Sequence, residues 1–175
     1  MAADAVNTAP PPAATGAAPT RVPGVIRSGW GALALFAVVS ALFTLPLVGR
    51  LPDTLPDWND AADSTWRIGT ISRNLLTDPL HLYRTPALYP LDNALALDEL
   101  LTGQAFFAAP VVWLTGNTVL AYNLLNFLSF VLSGFAMWLL VRHLTGSYLA
   151  GLVAGMVFAF SPWHYGQYGH LGLAA

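Results

Sequence analysis

Between Glu99 and Arg142 the chain runs for forty-two residues without one formal charge. A soluble domain carries roughly a quarter of its residues as charges, so an uncharged run of this length points to lipid as the surrounding medium. The rest of the composition agrees, with 9% of the 175 residues charged, 55% apolar and a mean hydropathy of +0.56. The chain has no cysteine, which excludes a disulfide scaffold, a thiolate zinc site and a cysteine nucleophile. All seven cations are arginines, scattered rather than clustered, and the net charge is -2. A nucleic-acid partner needs a concentrated basic stripe, and none is present. These features predict an all-α, polytopic integral membrane protein whose first partner is the lipid bilayer.

The charge pattern sets the expected topology. Residues 1–27 are rich in Ala, Pro and Thr and read as a disordered cytoplasmic tail. Trp30 to Val48 gives nineteen mostly apolar residues, close to the ~20 needed for a first span at about 30–48. A cleaved signal peptide is the competing reading, but the tail ahead is long and Leu47-Val48-Gly49-Arg50 lacks a small-x-small site. Thr115-Gly116-Asn117 divides the long uncharged run, leaving spans expected at about 119–141 and 148–165 and an outer loop at about 50–117. Arg21 and Arg27 place the N terminus inside by the positive-inside rule, and Arg142 obeys the rule only if Leu100 to Leu114 does not cross. That segment, with Pro110 in it, is therefore expected to lie along the surface or re-enter. The expected location is the plasma membrane, multi-pass, within the N-terminal portion of a longer protein.

Eight of the nine acidic residues fall between Asp53 and Glu99, so any chemistry is expected in the outer loop. From Asp60 to Leu76 the apolar positions Ile68, Ile71 and Leu75 recur at three and four, with Asp60, Asp63, Arg67, Thr70 and Asn74 on another face. This predicts an amphipathic helix lying apolar face down on the membrane. Asp78-Pro79 stops it, Asp78 is placed to cap a short turn through Tyr83, and Asp92 or Asn93 is placed to cap a helix carrying Asp98 and Glu99.

A series of motifs follows in order: Asn59-Asp60 with Ser64-Thr65-Trp66, Asn74-Leu75-Leu76-Thr77-Asp78-Pro79, Leu88-Tyr89-Pro90-Leu91, Ala121-Tyr122-Asn123-Leu124, Leu132-Ser133-Gly134, Ala154-Gly155 with Ala159-Phe160-Ser161-Pro162, and Gly169-His170-Leu171. Over about residues 30 to 175 this series resembles the N-terminal part of bacterial membrane proteins of the GT-C glycosyltransferase superfamily, the group that includes protein mannosyltransferases and oligosaccharyltransferase catalytic subunits. The resemblance implies a multi-span enzyme with surface-lying helices and an essential Asp early in its first outer loop. It also implies transfer of a sugar from a polyprenyl-phosphate-linked donor to an acceptor on the non-cytoplasmic face. Asp60 matches the essential Asp best and Asp63 second, although Asn59 stands where the commonest pattern has Gly.

Each candidate has an ordinary reading beside the functional one. Asp60 is either the base that takes the acceptor proton or a helix N-cap. Asp63 is either a second acid or the partner of Arg67 at i,i+4. Arg84 and Arg73 are cations for the carrier phosphate or lipid-headgroup contacts. Trp66 and Tyr89, with Trp58, are sugar-stacking platforms or interface anchors. His170 is placed to reach a sugar or metal in the same cleft as Asp60, or it is an interface histidine like His164. The cofactor stays open, a divalent cation included, with no dense ligand cluster. The alternative function is a non-enzymatic polytopic protein, a transporter or a scaffold for surface-polysaccharide assembly. Against a transporter, the spans lack the mid-membrane charges such proteins use.

Overall fold

The structure, a computed structural model, describes residues 29–87, 89–97 and 99–171. The expected tail at 1–27 and Asp98 lie outside the described residues, as does Leu88 of the motif series. Among the described residues every regular element is helical, as the sequence predicts. The helices are α1 (Gly29–Phe43), α2 (Asp60–Thr77), α3 (Thr102–Thr115), α4 (Thr118–Thr145), α5 (Tyr148–Ala159) and the short α6 (Pro162–Gly166). Single 3₁₀ turns occupy Leu47–Arg50, Pro79–His81 and Ala94–Leu97.

Helices α1, α4 and α5 form an antiparallel three-helix bundle. Gly29 lies against Trp138, Phe36 against Gly134 and Phe43 against Phe130, so α1 runs opposite to α4. Gly151 meets Trp138 and Gly155 meets Gly134, so α5 does the same. A Cβ on Gly155 would sit 2.5 Å from the Gly134 carbonyl oxygen and from the Phe36 ring, so only a bare α-carbon permits this approach. Small residues at helix crossings let backbones close together. The bundle is apolar outward: Val38, Leu132, Leu144, Val153 and Val157 are all more than half exposed. Ser40 and Ser129, by contrast, are buried.

Of these helices α4, with 28 residues, is long and apolar enough to cross a membrane, while α1 is apolar but has 15 residues. The first apolar stretch thus yields a shorter helix than expected. Pro46 lacks the amide hydrogen that would continue the helix, and the chain turns instead, with Thr44 Oγ1 donating to the Ser40 carbonyl at 2.8 Å. The last stretch is also divided. Ser161 Oγ accepts from the His164 amide at 3.3 Å, and Pro162 takes the first helical position, so a new helix starts where α5 was expected to continue.

Above one end of the bundle, α2 and α3 pack on each other and on the N-terminal turns of α4, forming a ledge. Ala61, Ile68 and Ile71 meet Ala105, Ala108 and Val112 in a core completed by Leu95, Leu101, Tyr122 and Leu171. Ser72 Oγ donates to the Ala105 carbonyl at 3.0 Å, and Trp113 Nε1 donates to the Ser72 carbonyl at 2.7 Å. The apolar face of α2 is therefore covered by α3 rather than by a membrane surface. Alanines on the facing side of α3 make that close approach cheap. Helix α3 itself presents Phe106, Phe107 and Leu114 outward, each at least two-thirds exposed.

No helix carries Glu99. The turn at Ala94–Leu97 ends, and α3 begins only at Thr102. Leu95 and Leu101 are both buried in the same core. Six residues apart on one helix they would point about 120° apart, so the break is what lets both face inward.

Candidate active site at the ledge end of the bundle

Four polar side chains in an otherwise apolar region organise the ledge. Asn123 Nδ2 donates to the carbonyls of Leu51 and Thr54, both at 2.7 Å, and Asn117 Nδ2 donates to that of Pro52 at 2.9 Å. Asn126 Nδ2 donates to the Tyr168 carbonyl at 2.6 Å, and the Tyr122 hydroxyl donates to that of Gly169 at 2.8 Å. The first turns of α4 thus hold two strands of irregular chain at fixed positions, the loop before α2 and the strap after α6. Buried amides are retained where their donors are used, since an unmet backbone carbonyl costs about 1–3 kcal/mol.

That arrangement decides what Asp60 does. Asn59 occupies the cap position of α2 but makes no side-chain cap bond. The cap is supplied by Asp57, whose Oδ1 accepts from the amides of Asn59 at 2.9 Å and Ala61 at 3.2 Å. The capping role read for Asp60 therefore falls to Asp57. Asp60, in the first turn and half exposed, receives His170 Nε2 at 2.9 Å from its Oδ2. The neutral imidazole that fits this contact carries its proton on Nε2 and donates it to the carboxylate. His170 Nδ1 is buried, with Glu99 Oε2 4.0 Å away. A carboxylate held on one oxygen by an imidazole keeps its other oxygen available to accept a proton from an incoming hydroxyl.

The remaining candidates divide. Asp63 is engaged by Arg67, whose Nε lies 2.5 Å from its Oδ2, as the i,i+4 spacing predicts. Trp66, Arg73 and Arg84 do come together, but elsewhere, around a cleft of about 310 Å³ on the outer side of α2. Thirteen residues separate Asp60 from Arg73 on this helix, which the helical rise makes about 20 Å. Arg73 and Arg84 therefore do not join Asp60 in one pocket. Tyr89 is 90% exposed and lines neither this cleft nor the adjoining one. His164, read as an interface residue, is instead buried and stacked on Phe130, ring centres 4.3 Å apart. Among the described residues no three His, Asp or Glu side chains converge as a metal site would require.

The sequence alone does not mark Asp57, Glu99, Tyr122, Asn126 and Gly169 as site residues. The available signal was the spacing of Tyr122, Asn123 and Asn126, polar groups one turn apart inside an apolar helix, which need partners wherever they are buried. Compared with known proteins, the chain matches no family model, no curated protein and no solved structure.

Proposed function

We propose that this chain forms the N-terminal part of a multi-span membrane glycosyltransferase of the GT-C type. In this reading the spans expected at about 30–48, 119–141 and 148–165, built on α1, α4 and α5 with the turns that extend α1 and α5, cross the plasma membrane, the N terminus is cytoplasmic and the ledge faces outward. The reading is supported by Arg142, at the opposite end of the bundle from the ledge, where its guanidinium lies 4.9 Å from the Trp138 ring centre. It is also supported by the outward apolar surfaces, which lipid would cover.

The observation that carries the functional reading is the contact of Asp60 with His170, at a carboxylate relieved of capping by Asp57. Asp60 acts as the general base. It takes the proton from an acceptor hydroxyl as that oxygen bonds to the anomeric carbon, while the bond from that carbon to the carrier phosphate breaks and polyprenyl phosphate leaves. His170 is a positioning residue that fixes the orientation of the carboxylate. A general base contributes about 10²–10⁴-fold to such a step.

The test is Asp60→Asn in the full-length protein, with polyprenyl-phosphate-linked sugars in membrane lipid extracts measured by mass spectrometry. The expected result is build-up of one such lipid at normal protein level. A lipid profile identical to wild type removes Asp60 from catalysis.

A further inference from the structure

The sequence predicts Trp66, Arg73 and Arg84 as donor-binding residues, yet Arg73 lies about 20 Å along α2 from Asp60, and neither cleft that these residues line includes Asp60 or His170. They surround two adjoining clefts of about 310 and 240 Å³, which share the Trp66 ring and the Arg73 side chain as their common wall. We propose that these clefts form a binding site for the phosphodiester headgroup of an anionic bilayer phospholipid, with a lining that shares neither Asp60 nor His170 with the proposed transfer site.

Three observations argue for it. Arg84 is placed above the larger cleft by its backbone, since Asn74 Nδ2 donates to the carbonyls of both Leu82 and Arg84 at 2.9 Å. Its guanidinium stands 4.0 Å from each of Asp78 and Asp92, too far for either to satisfy its donors. Among the described residues no carboxylate lies within ion-pair distance of Arg73. Two guanidiniums with open donors on one concave surface suit a phosphodiester, which each binds through parallel N–H groups. In the smaller cleft Thr65 is 6% exposed, and its hydroxyl is buried without a hydrogen-bond partner. A hydroxyl of a polyol headgroup in this cleft would supply the partner that the Thr65 hydroxyl lacks. Leu76, one turn beyond Arg73 and 64% exposed, and Leu80, 90% exposed, supply apolar surface where acyl chains would begin. That surface favours a bilayer lipid over a free anion.

The test is calorimetric titration of the purified full-length protein in neutral detergent with short-chain phosphatidylglycerol. Phosphatidylcholine of equal chain length and inorganic phosphate are titrated in parallel. The expected result is saturable binding of phosphatidylglycerol, about tenfold tighter than either comparison ligand. Arg73→Gln and Arg84→Gln each weaken it about tenfold, Arg73→Lys weakens it less, and Thr65→Val weakens it a few-fold. Equal affinity for phosphatidylcholine, or full binding by both Gln variants, overturns the site. Phosphate binding as tightly as the lipid overturns the lipid assignment. Asp60→Asn is expected to bind phosphatidylglycerol like wild type, so failure here and failure of the transfer reading are read separately.

Discussion

The backbone of Gly169 is seated directly on the carboxylate of Asp57, so closely that a methyl group on its α-carbon would overlap Asp57 Oδ2. One carboxylate thus caps α2 and also receives the strap whose next residue, His170, reaches Asp60. Gly169→Ala must push the strap off Asp57 or tear the cap. The expected cost is about 1–3 kcal/mol in stability, with transfer activity falling although Asp60 is untouched. Thermal unfolding and the lipid-linked sugar profile check this together. Wild-type behaviour in both would show that the strap has no fixed seat.

Asn123 holds the loop before α2 through two bonds to its carbonyls. Asn123→Leu keeps the volume and removes both donors, so the Leu51 and Thr54 carbonyls lose their partner at a cost of about 1–3 kcal/mol. Limited proteolysis should then cut between Leu51 and Trp58 faster than in wild type. An unchanged cleavage rate there would mean that α4 does not anchor the loop.

In the bundle, Gly155→Ala places a methyl where the Gly134 carbonyl and the Phe36 ring already sit. Overpacking of this kind costs about 1–3 kcal/mol. Shrinking the opposing ring should return part of that loss, so Gly155→Ala with Phe36→Leu is expected to be more stable than the sum of the two single changes. Unfolding midpoints in detergent decide it, and strict additivity would contradict the observed contact.

Tyr168, beyond the bundle on the strap, has its phenol pushed up to about 12 by burial and, secondarily, by the neighbouring Tyr165. Its pKa in the fold is above the ordinary value of 10.0, so the folded state favours the neutral phenol. The stabilisation is fully present below pH 10 and is lost as pH rises toward 12. Tyr168→Phe, which cannot ionise, should flatten part of the fall in stability over that window. Identical alkaline unfolding curves for variant and wild type would contradict the burial.

How far the sequence could be read depended on how local each determinant was. Helix α2 was legible almost to the residue, from Asp60 to Leu76 against an observed end at Thr77, because its two faces meet different surroundings. The surface that covers its apolar face was not legible, since an alanine-lined helix and a membrane select the same Ile68 and Ile71. Three capping residues stand together at Asp57, Asn59 and Asp60, and only the turn leading into α2 decides that Asp57 is used. The contact of Asp60 with His170 joins residues 110 apart in the chain, so no local periodicity encodes it. The separation of Arg73 from Asp60 was readable in principle, because thirteen residues on one helix fix the distance, but only once the helix was known to be unbroken.

In the proposed sugar transfer Asp60 and His170 act as one unit, and a double-mutant cycle in the full-length protein is the decisive measurement. Transfer rates would be measured for Asp60→Asn, His170→Gln and the pair together. Asp60→Asn is expected to lose about 10²–10⁴-fold and His170→Gln to lose less, with the pair no slower than Asp60→Asn alone, because an imidazole with no carboxylate to orient contributes nothing. Wild-type turnover by Asp60→Asn, or losses that multiply in the double variant, would contradict it.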